Sequence, residues 1–254
     1  MWTALERKLS AFYAASGGTL LLFLSALKDF GLSKNDRTRL LRQMTFVGWE
    51  TVPLALLIGL FTGMTVALGT GLVLSEFNQQ NFIASVVAES MIKEMAPVFT
   101  AFIIAARVGA AMTAELGTMA VNEEINVLRV LGIRAQRYLV MPRVVAALTM
   151  MPALTAYSTI IGLVGGAVVA NTYFGVSFTT YRIETFRYVT LDELWKALIK
   201  AVVFGAIYSS VCCYYGLTTR GGAKGVGKST TTAVVVSLSG VLVANYLLTR
   251  YLYG

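Results

Sequence analysis

Residues 115–143 read ELGTMAVNEEINVLRVLGIRAQRYLVMPR, and this stretch is the most informative part of the chain. It carries charged residues in a helix-like pattern, and long apolar runs lie on both sides of it. A polar helix in this position cannot lie within lipid, because its charges would lose their hydration. We therefore expect it at a membrane surface, where a soluble partner can reach it.

The composition is that of an integral membrane protein. Hydrophobic residues make up 56% of the 254 residues, charged residues only 13%, and the mean hydropathy is +0.69. Soluble globular domains are far less apolar. The length suits five or six spans of roughly 20 residues each and leaves no room for a separate soluble domain.

Five apolar runs follow the first 45 residues. An earlier segment, residues 4–28, is interrupted at Ser16, Gly17 and Gly18, which favours a helix in the membrane interface over a signal peptide. We predict one domain over residues 1–254, with the interfacial helix and a cytoplasmic segment at 1–45 and a five-span bundle at 46–254. The runs cover residues 46–74, 96–114, 138–173, 197–217 and 231–252.

Lysine and arginine are unevenly distributed among the connections. Seven precede residue 46, four lie in 115–143 and three in 218–230, and five spans place all three segments on one side. Because cytoplasmic connections are enriched in positive charge, this predicts a cytoplasmic N-terminus, an external C-terminus and a cytoplasmic 115–143 segment. The net charge of +8 is predicted to meet anionic lipid headgroups rather than nucleic acid.

The residues offer little for catalysis or metal binding. The chain has no histidine, and its two cysteines, Cys212 and Cys213, are adjacent in an apolar run. Residues 222–229 read GAKGVGKS, a formal match to the phosphate-binding loop, but no strand precedes them and no acidic residue follows Glu193. We predict a connection between spans there, and no enzymatic site.

Three charged residues flank apolar runs on the predicted outer side. Lys93 and Glu94 come just before the second run, and Lys200 falls in the first turn of the fourth. They either pair or extend to the interface, or they form a polar site beside a substrate cavity. In the first run, Gly59 and Gly63 have the small-xxx-small spacing that permits close helix approach.

Several of these stretches together resemble a known family. Residues 93–143 are similar to the signature region of the Mla-type permeases (MlaE/YrbE family), the membrane subunits of ABC transporters that work with MCE-domain proteins on phospholipids and other lipids. The likeness continues in IGLFTGMTVALGTGLVL (58–74), LIKAVVFGAIY (198–208) and GGAKGVGKSTTTAVVVS (221–237). Lys228 departs from the family, in which a different basic residue is common there.

The resemblance implies an all-α, five-span permease of the bacterial inner membrane, with a periplasmic C-terminus. It also implies a homodimer that joins two ABC ATPase subunits and an MCE-domain oligomer. ATP and magnesium would bind in the ATPase, so that this chain is not an enzyme and holds no cofactor or metal.

Two sets of site residues follow from the resemblance. The helix between spans two and three would be the coupling helix, and its ATPase contacts would be Glu115, Gly117, Met119, Glu123 and Leu128. A lipid cavity between the two first spans would be lined by Leu60, Phe61, Met64 and Leu68, with Lys93, Glu94 and Lys200 near its polar rim.

Two other functions are compatible with a membrane protein of this size. An ion-coupled secondary transporter of a small solute predicts polar residues at mid-span and an inverted repeat, and the sequence displays neither. A scaffold would recruit soluble proteins through the 115–143 segment without transporting anything.

Overall fold

A computed structural model describes residues 17–26, 28 and 34–254, apart from the side chains of residues 34–36. The part of the predicted interfacial helix before residue 17 lies outside this range. The described chain begins with α1 (Gly17–Ala26) and α2 (Lys34–Val47). Helices dominate the described residues and no strand occurs among them, which confirms the all-α prediction.

The later helices are separated by short turns. Two π-helical turns, at Met91–Met95 and Ala105–Gly109, interrupt one otherwise continuous helical run, and a third, at Gln136–Val140, begins another. The α-helices are α3 (Val52–Glu76), α4 (Ile83–Ser90), α5 (Ala96–Ile104), α6 (Ala110–Val121), α7 (Glu124–Val130), α8 (Met141–Phe174), α9 (Phe178–Tyr188), α10 (Leu191–Leu217) and α11 (Gly222–Tyr253).

Five helical runs are long and apolar enough to cross a membrane, as predicted. They are Arg37–Glu76, Gln80–Val121, Gln136–Phe174, Leu191–Leu217 and Gly222–Tyr253. The second run begins 16 residues before the predicted start at residue 96, so Lys93 and Glu94 lie inside it rather than ahead of it. The prediction of a connection over 218–230 is wrong, because only residues 218–221 separate α10 from α11.

The chain divides into two compact units. The described part of the first comprises residues 17–26, 28, 34–47, 105–147 and 205–240, with 13 basic and 4 acidic residues and hence a net charge of +9. The second comprises Gly48–Ile104, Leu148–Phe204 and Val241–Gly254, with 6 basic and 7 acidic residues and a net charge of −1. Among the described residues, all of the excess positive charge therefore belongs to the first unit.

In the second unit, α3 packs closely against α8 through small residues. A Cβ atom at Gly63 would lie only 1.9 Å from the carbonyl oxygen of Gly162, and one at Gly59 only 2.6 Å from that of Ser158. Such distances allow no side chain, which confirms the close approach predicted from the glycine spacing. The buried face of α3 repeats every four residues as Ala55, Gly59, Gly63, Ala67 and Gly71.

In the first unit, α6 packs against α10 in a similar way. A Cβ at Gly109 would lie 2.8 Å from the Cys212 Sγ, and one at Gly216 would lie 2.7 Å from the Leu116 Cβ. The Thr113 hydroxyl donates to the Cys212 carbonyl oxygen at 3.1 Å. Cys212 is a free, buried thiol, and it serves here as a small packing residue.

Candidate functional site

The second unit brings Lys93, Glu94 and Lys200 together. The Lys200 ammonium is fully buried and donates to the Lys93 carbonyl oxygen at 2.6 Å and to Glu94 Oε1 at 3.1 Å. It also donates to the Thr249 hydroxyl at 2.9 Å. Since an ammonium has three N–H donors, Lys200 has no donor left for a ligand.

Both oxygens of the Glu94 carboxylate also have partners, although its side chain is about one-third exposed. Its Oε1 accepts from the Thr249 hydroxyl at 2.6 Å, and its Oε2 accepts from the Asn245 Nδ2 at 2.7 Å. Glu94, Lys200, Asn245 and Thr249 therefore join α10 and α11 to the π turn that precedes α5. We call these four residues the polar clamp.

Pro97 explains why the clamp forms at this point. In an α-helix the N–H of residue 97 would bond to the carbonyl oxygen of Lys93, but proline has no N–H. The chain makes a π turn over Met91–Met95, and the Lys93 carbonyl oxygen accepts from Lys200 instead. The sequence thus creates an acceptor inside a span and supplies a buried lysine to satisfy it.

Lys93 itself belongs to a more accessible set of charges. Its side chain is 23% exposed, and its ammonium pairs with Glu89 at 2.5 Å and Glu193 at 3.3 Å. Lys93, Lys196 and Lys200 all lie within 6 Å of the ring centre of Tyr253, at 5.3, 5.4 and 5.8 Å. Of the three predicted rim residues, Lys93 is the cation that an external anion can reach.

The four predicted lining residues of α3 are spaced i, i+1, i+4 and i+8, so they lie within one sector of about 100° of that helix. Leu60 and Met64 are half-buried, and their side chains lie 3.0 and 3.2 Å from the place of a Cβ at Gly165 of α8. Phe61 and Leu68 are exposed, at 58% and 41%. One edge of this sector therefore packs against α8, and the other edge is open to a partner or a lipid.

The predicted ATPase contacts are spread over two helices of the first unit. Glu115, Gly117 and Met119 belong to α6, at the end of the second spanning run. The Glu115 Oε2 pairs with the Arg143 Nη2 at 2.7 Å, and Arg143 also donates to the Leu139 carbonyl oxygen. Gly117 is buried against Thr219. These residues hold the base of the 115–143 segment.

The separate helix of that segment is α7, only seven residues long. Glu123 precedes it with a φ of 62°, a left-handed conformation that is uncommon outside glycine, and its carboxylate accepts from the Asn126 side chain. Leu128 is half-buried. Within the 115–143 segment, the most exposed apolar residues are Val127, Val130 and Leu131, which the sequence analysis did not select.

These three residues form one face. Val127, Val130 and Leu131 are spaced i, i+3 and i+4, and they are 56%, 87% and 67% exposed. The i, i+3, i+4 spacing could have identified the face, but the same spacing describes an ordinary buried helix face. On the other side of α7 a groove of about 480 Å³ is lined by residues of the α6–α7 turn, α7 and the α10–α11 connection, among them Glu123, Arg129 and Arg220.

The phosphate-loop lookalike is helical. Residues 222–229 form the first two turns of α11, and the Gly225 N–H donates to the Gly221 carbonyl oxygen. A phosphate loop instead wraps consecutive free backbone amides around the phosphates. Among the described residues, no group of three or more Asp, Glu or Cys side chains is placed to hold a metal ion.

Comparison with known proteins identifies the family. The model of the family described as Permease MlaE matches residues 40–251. A probable ABC transporter permease protein of Rickettsia typhi is 40% identical over 214 residues, which cover 84% of this chain and 83% of the relative. One from a Synechocystis species is 36% identical over 248 residues, or 98% and 91% of the two chains.

A plant protein is also similar. The Arabidopsis thaliana protein TRIGALACTOSYLDIACYLGLYCEROL 1, chloroplastic, is 36% identical over 213 residues, which cover 84% of this chain and 61% of the plant protein. The family match spans most of the chain, covers nearly all of each of the five spanning runs, and includes α7 and the polar clamp. The chain therefore belongs to the MlaE family of ABC transporter permeases.

Proposed function

We propose that this chain is the permease subunit of an ABC transporter that moves phospholipids or related lipids between the inner membrane and an assembly of MCE-domain proteins. Two copies of the chain would join two ABC ATPase subunits, which bind ATP and magnesium and drive transport. The chain itself would hold no cofactor and catalyse no reaction.

The observation that carries this proposal is the exposed apolar face of α7. Val127, Val130 and Leu131 lie in a unit with a net charge of +9, between two spanning runs. A contiguous apolar face that stays exposed among polar residues is typical of a site that contacts a protein or a membrane. We propose that α7 inserts into a groove of the ATPase, and that Glu115, Gly117, Met119, Glu123 and Leu128 support it there.

A stripe of exposed apolar residues on α3 supports the lipid path. Leu54, Leu57, Phe61, Leu68 and Leu72 repeat at spacings of three, four and seven, opposite the small residues that pack against α8. We propose that this stripe meets the same stripe of a second copy, and that lipid tails enter between them. One relative is named for trigalactosyldiacylglycerol, a lipid, which fits this assignment.

The rim of that cavity would be polar. We propose that Lys93 attracts the lipid headgroup, because its side chain is partly exposed whereas that of Lys200 is fully buried. Glu94 and Lys200 would act indirectly, by fixing the backbone of the π turn that carries Lys93.

One observation supports the second candidate function, an ion-coupled secondary transporter. Glu94 and Lys200 lie inside spanning runs, as such a transporter requires. However, both carboxylate oxygens of Glu94 and all three donors of Lys200 are already bonded within the chain. ATP-dependent lipid transfer by the reconstituted complex separates the two functions, because a secondary transporter would not need ATP.

The charge distribution leads us to propose that the N-terminus is cytoplasmic and the C-terminus periplasmic. A cysteine replacing Gln136, outside the apolar face of α7, should then react with an impermeant maleimide only after the inner membrane is permeabilised, whereas one replacing Thr179 should react in intact spheroplasts. Both positions are exposed, and the native Cys212 and Cys213 are buried and should give little background. The reverse labelling pattern would contradict the orientation.

The contact with the ATPase can be tested at its most exposed residue. Val130→Asp should weaken association with the ATPase subunit at least tenfold, because an unpaired carboxylate in an apolar interface costs on the order of 2–5 kcal/mol. The measurement is co-purification of the ATPase with the permease, together with ATP-dependent lipid transfer. Val130 is 87% exposed, so the fold of the permease should survive.

Gln136→Asp is the matched control. It adds the same charge at an exposed residue six positions later, outside the apolar face of α7, and should retain the ATPase. If Val130→Asp also retains the ATPase and transports lipid at the normal rate, α7 is not the coupling element.

A further inference from the structure

The second unit contains an apolar groove away from the proposed cavity at α3. It has a volume of about 590 Å³, within the usual range of ligand sites. One wall is α8, between residues 156 and 168, and the other is formed by α9 and the residues that follow it. Apolar side chains predominate in the lining, among them Ile160, Leu163, Phe178, Phe186 and Leu194.

Two hydroxyl groups in the lining are buried without a partner. Tyr181 and Thr185 are 4% and 7% exposed, and neither Tyr181 Oη nor Thr185 Oγ1 has a hydrogen-bond partner among the described residues. Each unmet hydroxyl costs about 1–3 kcal/mol. Thr159, a third hydroxyl of the lining, is satisfied by the Thr155 carbonyl oxygen at 2.8 Å.

Both hydroxyls are available as donors. Burial raises the pKa of the Tyr181 phenol well above its ordinary value, so the phenol keeps its proton. Gly166 of α8 makes room for it, because a Cβ there would lie 2.6 Å from the Tyr181 oxygen. A ligand with ester oxygens can accept from hydroxyls placed in this way.

An unpaired cation also lines the groove. Arg182 is exposed, and none of the ion pairs of the described residues uses its guanidinium. The neighbouring carboxylate of Glu184 pairs with Arg187 instead, at 3.8 Å. Helix α9 lies between the third and fourth spanning runs, where the headgroup region of the bilayer is expected. Charge complementarity therefore favours an anion at Arg182.

We propose that this groove binds one anionic phospholipid, with an acyl chain along α8, ester oxygens at Tyr181 and Thr185, and the phosphate at Arg182. The bilayer is already apolar, so burying the acyl chain gives little selectivity. Selection must come from the guanidinium and the two hydroxyls. The site is separate from the lipid path at α3 and does not depend on the direction or energy source of transport.

The amount of each lipid that stays bound to the purified complex tests the proposed site directly. The purified permease complex is placed in nanodiscs of equal amounts of phosphatidylglycerol and phosphatidylcholine, extracted into mild detergent, and analysed by native mass spectrometry. Wild type should retain phosphatidylglycerol in preference to phosphatidylcholine. Arg182→Gln should lower the retained phosphatidylglycerol about tenfold, which corresponds to about 1.4 kcal/mol. Ala167→Trp, which fills the groove, should abolish retention there.

Arg187→Gln is the matched control, since it removes a second exposed arginine of α9 that does not line the groove. It should retain phosphatidylglycerol like wild type. Tyr181→Phe gives a second measurement: it should reduce retention if its hydroxyl bonds to lipid, whereas in an empty groove it should only raise the melting temperature. Equal retention of both lipids, loss with Arg187→Gln as large as with Arg182→Gln, or cross-links between copies through cysteines in α9 would each overturn the proposal.

Discussion

Replacing Lys200 by methionine is expected to lower the free energy of unfolding of the detergent-solubilised chain by about 3–5 kcal/mol. The ammonium of Lys200 is fully buried and bonds to the Lys93 carbonyl oxygen, Glu94 and Thr249. Methionine has a similar length but leaves the Glu94 carboxylate without its cation and the Lys93 carbonyl oxygen without this donor. Since the Glu94 side chain is about one-third exposed, the loss should fall toward the lower end of that range.

The matched control is Lys196→Met, on the same helix and one turn earlier. Lys196 pairs with Asp192 at 2.7 Å, but its partner is largely exposed, and such i, i+4 pairs contribute only about 0.3–0.5 kcal/mol. Heating followed by size-exclusion chromatography ranks the variants. The double variant Lys200→Met/Glu94→Gln should recover part of the loss, because it removes the unpaired charge. Equal melting of Lys200→Met and wild type would show that the polar clamp does not stabilise the fold.

The sequence predicts the number of spans well but not where they begin. Hydropathy falls at Lys93, Glu94, Asp192 and Glu193, yet the helical runs include all four. Lysine and glutamate are good helix formers, and acidic residues such as Asp192 are favourable in the first turn of a helix. The same reason applies to Lys224 and Lys228. Because their segment is basic and contains glycines, we predicted a connection there, but both lysines lie in α11. Composition indicates which part of a helix can lie in lipid. The helix itself continues for as long as its backbone hydrogen bonds do, so it can extend beyond the apolar run.

The candidate sites are predictable to different degrees. Lys93, Glu94 and Lys200 could be selected because charges next to apolar runs are conspicuous, but their partners Asn245 and Thr249 depend on which helices are neighbours and how each is rotated. Apolar periodicity in long spans carries little of that information, because lipid-facing and buried residues are equally apolar. The face of α7 was missed for a related reason: exposure distinguishes it from a core stripe, and exposure is a property of the fold.

The glycine stripe of α3 combines a predicted feature with an unpredicted partner. The spacing of Gly59 and Gly63 indicates a close helix contact, and the structure identifies Ser158 and Gly162 of α8 as the contacting residues. Gly63→Ala is expected to destabilise the chain by about 1–3 kcal/mol, in spite of the higher helix propensity of alanine. The new Cβ would lie 1.9 Å from the Gly162 carbonyl oxygen and 2.5 Å from its carbonyl carbon, and backbone atoms of two packed helices cannot move aside separately.

Gly69→Ala, on the same helix, is expected to stabilise the chain rather than destabilise it. A Cβ at Gly69 meets no atom within 4 Å, so the substitution has no steric cost and gains up to about 1 kcal/mol of helix propensity. The melting temperatures of the two variants in one detergent should therefore fall on opposite sides of the wild-type value. Because Gly63→Ala forces α3 away from α8, it should also displace the exposed stripe that includes Phe61 and Leu68 and reduce lipid transfer by the complex, whereas Gly69→Ala leaves the α3–α8 contact unchanged. If the two variants have the same melting temperature, the backbones of α3 and α8 are not in direct contact at Gly63.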